Sequence, residues 1–150
     1  MKPLLVLLGA FAISLSITKI ARGVYNVPLA GRIAMSVMLV FTAVAHFAFT
    51  EGMAMMLQAA IPAKTTIVYL TGVIEILAAV GLLIPATRTL TGLLLILFFI
   101  LVLPANVYAA IQHVDYQEGT YDGNGPHYLW FRVPLQIFFI GWTYWVAVKR

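Results

Sequence analysis

Five continuous apolar stretches run along the chain, at roughly 4–18, 33–50, 67–85, 90–111 and 129–148, with short polar segments between them. Each is close to the ~20 residues that cross a hydrocarbon core as a helix. The runs are unbroken rather than alternating and too long for strands, so the pattern predicts helices. The first run follows Lys2 and has two readings, a cleaved signal peptide or a retained span. Ser14, Ser16 and Thr18 lead into Lys19 and Arg22 without a small-residue cleavage site, so a retained span at about 4–21 is expected. The expected fold is an all-α membrane protein in a single domain over residues 1–150.

Composition agrees. The 150 residues are 63% hydrophobic and 9% charged, where an ordinary soluble domain is about half apolar and a quarter charged. The net charge of +4 is scattered over segment ends, with no basic run of the kind that marks a nucleic-acid surface. With no cysteine, disulfide exchange, thiolate metal sites and cysteine nucleophiles are excluded.

The basic residues set an orientation. One side of a five-span chain carries Lys19, Arg22, Arg32, Arg88, Lys149 and Arg150, and the other Lys2, Lys64 and Arg132. The richer side is expected to be cytoplasmic, with the N-terminus outside and the C-terminus inside. Glu51, Asp115, Glu118 and Asp122 then lie outside, and Tyr69, Tyr108, Tyr128, Trp130, Trp142 and Trp145 sit near span ends as interfacial anchors.

Glu75 is the one acid inside an apolar run, in TGVIEILAAVGLLIP. It lies about 12 Å into its span at the helical rise. Its neighbours three and four residues away are Thr71, Gly72, Ala78 and Ala79, a small-residue face suited to packing against another helix. Intramembrane acids are costly and face the protein interior or a wet cavity. Candidate partners fall in the same half of the bilayer. Thr42, His46 and Thr50 form one stripe on the second span, and Arg132 and Gln136 share a face with Thr143 on the fifth. On the fourth, Pro104 frees a carbonyl one turn earlier and Asn106 can compensate.

The economical expectation is one cluster of His46, Glu75, Asn106, Arg132 and Gln136. Two uses are open to it: internal glue with Arg132 and Glu75 paired, or a ligand or proton site. His46 is the only histidine within a span, which argues against haem. His46 and Glu75 fall short of the three or four ligands a metal site needs.

Two loops add less. Residues 51–63 put Met53, Met56, Leu57 and Ala60 on one helical face, which predicts a short surface helix, a connector or a lid. Residues 112–128 hold Asp122-Gly123-Asn124-Gly125, a fragment of a calcium loop without the later acids, so a glycine-rich turn is expected. His113 and His127 in this loop are expected to be solvated.

Several of these segments coincide with a family pattern. Ala45-His46-Phe47, Leu70-Thr71-Gly72-Val73-Ile74-Glu75-Ile76-Leu77 with Gly81-Leu82-Leu83-Ile84-Pro85, Pro104-Ala105-Asn106, and Arg132-Val133-Pro134-Leu135-Gln136 together resemble the DoxX-like family of small bacterial membrane proteins over about residues 30–148. The resemblance implies a four-helix transmembrane bundle, with the first span as an N-terminal addition. It places His46, Glu75, Asn106 and Arg132 at the family's recurring polar positions. Relatives include the small membrane subunit of an archaeal thiosulfate:quinone oxidoreductase and, more distantly, animal membrane chaperones for receptor assembly. No nucleotide, flavin or iron–sulfur motif is present, so any redox group is a diffusible quinone or belongs to a partner. The leading expectation is an accessory subunit of the bacterial cytoplasmic membrane, without resident cofactor, whose polar pocket binds quinone or another lipid-soluble molecule for a redox partner. An assembly or scaffold protein is the alternative. A transporter ranks third, because only Pro104 interrupts a span and no repeat is visible.

Overall fold

A computed structural model, which describes residues 1–149, is helical apart from its connections. Five helical stretches are long and apolar enough to cross a membrane. They are α1 (Lys2–Arg22), α2 (Val27–Ala48), α4 (Lys64–Leu83), α5 (Arg88–Ile111) and a fifth, Pro126–Val148. The fifth opens with a 3-10 turn at Pro126–Tyr128, continues as α6 (Leu129–Thr143) and closes in a π turn, Tyr144–Val148. A short α3 (Thr50–Ala54) stands between α2 and α4. Rows of large apolar side chains point outward, among them Ile13, Ile17 and Ile20 on α1 and Leu94, Leu97 and Leu101 on α5. A water-soluble surface avoids apolar patches of that extent.

The helices begin and end for local reasons. α1 stops at Gly23, whose φ of 71° is left-handed and whose N–H bonds to Lys19 O. Asn26 then starts α2 by accepting from Leu29 N, and its own N–H donates to Thr18 Oγ1. The second span therefore starts at Val27, not at 33. Arg32 does not end the apolar segment, because its guanidinium Nη1 reaches Val146 O at 3.2 Å across the bundle. The same helix stops at Ala48, so Thr50 leaves the stripe expected for it. Its one hydroxyl hydrogen is shared between His46 O, at 2.8 Å, and Phe47 O, at 3.1 Å, at the end of α2.

α2 is the central helix, packed most extensively against α4 on one side and α1 on the other. Its buried face is Ala30, Gly31, Ala34, Met35, Ser36, Met38, Leu39 and Ala43. In lipid there is little hydrophobic drive between helices, and association depends on close backbone approach and cross-helix hydrogen bonds. Both are present. Ser36 Oγ donates to Ala79 O at 2.8 Å, and a Cβ added at Gly72 would stand 2.9 Å from His46 Cβ. α5 and α6 pack on each other. The π turn, with Lys149 N bonded to Tyr144 O, presses Val146 against Gly31 of α2 and Ala147 against Gly92 of α5.

The longer connections, 49–63 and 112–128, share one end of the bundle. Helix 51–63 does not form; only Thr50–Ala54 is helical. α3 packs beside the start of α4. A continuous helix over this segment would carry the chain about 18 Å away from that start. The hydrogen-bonded turn of the 112–128 loop lies at Asp115–Thr120, ahead of the expected Asp122–Gly125, which carries only a bend. Asp115 Oδ1 accepts from Gln117 N and Glu118 N, Gly119 has a φ of 68°, and Asp115 bridges Thr120. His113 and His127 are exposed.

Candidate functional site

Close contact at Gly72 brings two turns of α2 and α4 together and sets His46 against α4. His46 Nδ1 lies 3.1 Å from Val68 O and 3.0 Å from Thr71 Oγ1. Thr71 Oγ1 itself donates to Val68 O at 2.8 Å. On the other edge of the ring, Nε2 stands 3.6 Å from Glu75 Oε2. Glu75 shares the buried face of α4 with Val68, Gly72, Ala78, Ala79 and Leu82 and is itself 6% exposed. Its Oε2 has no hydrogen-bond partner. At 3.6 Å the imidazole and the carboxyl are close neighbours without a formed hydrogen bond. Phe47 and Tyr69 stack at 5.7 Å between the same two helices.

Asn106, Arg132 and Gln136 form a second group, between α5 and α6. Arg132 Nη2 donates to Asn106 Oδ1 at 3.1 Å, and Asn106 Nδ2 donates back to Val102 O at 3.2 Å. Gln136, fully inside the bundle, donates through Nε2 to Phe99 O at 2.7 Å. These bonds correct the expectation for Pro104, which leaves Ile100 O without its amide donor. The side-chain amides instead take the carbonyls on either side, Phe99 and Val102. Arg132 Nε is buried and unpartnered.

The single cluster expected from sequence is thus two groups. Among the described residues the ion pair that Glu75 makes is with His46, and none joins it to Arg132. The physical reason is rotational setting. α4 turns its acid toward α2, its main packing partner, while the polar face of α6 meets α5. Thr71 and the Val68 carbonyl were not anticipated as partners of His46. The signal available was the spacing of Thr71, one turn before Glu75.

Arg132 also faces the loop above it. Burial pushes the Tyr116 hydroxyl up from its ordinary value, against the opposing pull of the Arg132 charge. Tyr116 packs edge-on to Phe49 and lays its backbone against Gly52. No trio of His, Asp or Glu among the described residues is placed to hold a metal ion. An open groove of about 400 Å³ runs along α5, lined by Gln58, Ile100, Leu103, Pro104, Val107 and Tyr108. Its walls are mainly apolar side chains, and it holds neither polar group.

No curated protein and no solved structure matches the chain. One family model does, over residues 35–147, a range that begins within α2, omits α1 and includes His46, Glu75, Asn106, Arg132 and Gln136. That match covers most of the sequence, and the chain belongs to the family described as a domain of unknown function, DUF8561.

Proposed function

We propose that this chain is an accessory subunit of a redox complex in the bacterial cytoplasmic membrane, and that His46 and Glu75 bind the head group of a quinone-like, lipid-soluble molecule. In this reading α2, α4, α5 and α6 form a DoxX-like four-helix bundle and α1 is an N-terminal addition. One observation carries the proposal: a buried carboxyl oxygen, Glu75 Oε2, is left without a hydrogen bond. Buried polar atoms are rarely left so, and an unmet one costs about 1–3 kcal/mol. A quinol hydroxyl can donate to that oxygen. Once protonated, the same oxygen can donate to a quinone carbonyl.

Protein extracted from its membrane in native lipid discs should retain quinone, and Glu75→Gln should retain about tenfold less, the loss expected for one charge-assisted hydrogen bond. Equal retention by both proteins overturns the proposal. The scaffold reading has its own support in the second group, where Asn106 and Gln136 turn their amides to carbonyls of α5 and act as internal glue.

The proposed orientation, with the 112–128 loop outside and the C-terminus in the cytoplasm, rests on the basic residues. The chain has no native thiol. Asn124→Cys should therefore react with an impermeant thiol reagent in intact cells, and Lys149→Cys should react only after the cells are opened. The reverse pattern would invert the topology.

A further inference from the structure

The hydrogen bonds around His46 determine where its protons sit. Val68 O, 3.1 Å from Nδ1, can only accept. Thr71 Oγ1, at 3.0 Å from the same nitrogen, already donates its single hydrogen to Val68 O. Nδ1 therefore carries a hydrogen and donates, since a bare Nδ1 would press its lone pair against that carbonyl. In a neutral imidazole the other nitrogen then has none. That nitrogen, Nε2, is the one facing Glu75 Oε2 at 3.6 Å. Neutral His46 beside ionised Glu75 would set a lone pair against a carboxylate oxygen, on a residue only 6% exposed and with no other donor to that oxygen. Such an arrangement leaves the buried carboxylate oxygen unmet and sets it against a second acceptor.

We infer that His46 and Glu75 form a proton-binding site, in which the pair holds one proton between Nε2 and Oε2 and takes up or releases H⁺ as a unit. Transfer within the pair converts carboxylic acid and neutral imidazole into carboxylate and imidazolium, with no net change. Release to solvent leaves a charge of −1. Forming the bond requires the two atoms to close by roughly 0.5–0.9 Å. Exchange runs through His46, which sits near the C-terminal end of α2 with its side chain 17% exposed, while Glu75 lies deeper and at 8%.

The titratable groups at this end of the surrounding elements are the Met1 amine and Lys2 at the start of α1, Glu51 on α3, Lys64 and Tyr69 on α4, Tyr108 on α5, Tyr128 and Arg132 at the start of the fifth span, and Asp115, Tyr116 and Glu118 in the loop beside α3. Among the described residues none forms an ion pair or a hydrogen bond with either member. The inference rests on this pair being the functional site, and not on a quinone being what binds there.

Solid-state NMR of the whole protein in lipid bilayers, with labelled histidine nitrogens and glutamate carboxyls, reads the proton directly. His46 Nδ1 should carry a hydrogen whether or not the pair holds its shared proton. At neutral pH one proton should be found on either Nε2 or the Glu75 carboxyl, and on alkalinisation both signals should move in one step. A neutral His46 protonated at Nε2 and bare at Nδ1 overturns the inference. So does a neutral-pH state with no proton on Nε2 or the carboxyl. In Glu75→Gln the amide supplies its own hydrogen to Nε2, and the alkaline step should vanish. A persistent imidazolium there would overturn the inference too. The wild-type spectra decide the matter even if that variant does not fold. A protein without quinone that still shows the one-proton pair would remove the quinone reading and leave this one standing.

Discussion

Gly52→Ala should be the most damaging glycine-to-alanine change in this protein. A Cβ there would overlap the Tyr116 carbonyl oxygen, with the carbonyl carbon at 2.6 Å and Tyr116 Cα at 2.9 Å. These are backbone atoms and cannot rotate away, so the 112–125 segment must lift off α3. Overpacking of a well-filled site costs about 1–3 kcal/mol, and rigid backbone places this substitution at the upper end. Gly141→Ala is the control, since nothing lies within 4 Å of the added carbon. Hydrogen exchange should separate the two. The Asp115 and Gly123 amides, bonded to Thr120 O and His113 O, should exchange faster in Gly52→Ala and be unchanged in Gly141→Ala. If both variants match the parent in stability and exchange, the packing of the loop on α3 is wrong.

A double-mutant cycle provides the second large effect. His46→Leu should cost about 2–3 kcal/mol, because it strips the buried acid of its ionic neighbour and the Val68 carbonyl of a donor. Glu75→Gln combined with His46→Leu should depart from additivity by about 1–3 kcal/mol, as residues in one network do. Glu75→Gln combined with Arg132→Met should be additive within about 0.5 kcal/mol, because Arg132 bonds to Asn106 and not to the acid. Reversible unfolding in lipid–detergent mixtures measures each corner. A larger coupling of Glu75 to Arg132 than to His46 would restore the single cluster and overturn the geometry described above.

Much of the architecture was legible before any coordinates. Hydropathy alone located all five long helices, because a run of ~20 apolar residues has few other uses. The start of α2 was missed for a physical reason. Arg32 looked like a boundary, yet its long side chain carries the charge to the Val146 carbonyl while its backbone stays helical. The same limit applies at the site. Helical spacing told which residues share a face with Glu75, but not which helix that face meets. Rotation about the helix axis is decided by small residues such as Gly72, whose contact with His46 Cβ fixes the α2–α4 register. The hydroxyl of Thr71 was legible as a neighbour and not as a bond. The 51–63 segment failed differently: its amphipathic spacing is real, but the chain has to turn back to feed α4 after only five helical residues.

The π turn at Tyr144–Val148 has a consequence for how this chain can vary in length. Val146 and Ala147, adjacent in sequence, each fill a gap left by a glycine on a different helix, Gly31 and Gly92. Deleting Val146 or Ala147 would return the segment to ordinary winding and leave one of the two glycines facing an empty gap. Insertions and deletions should therefore be tolerated at the exposed tip of the 112–128 loop and rejected at this end, where spacing as much as side-chain identity determines the fit.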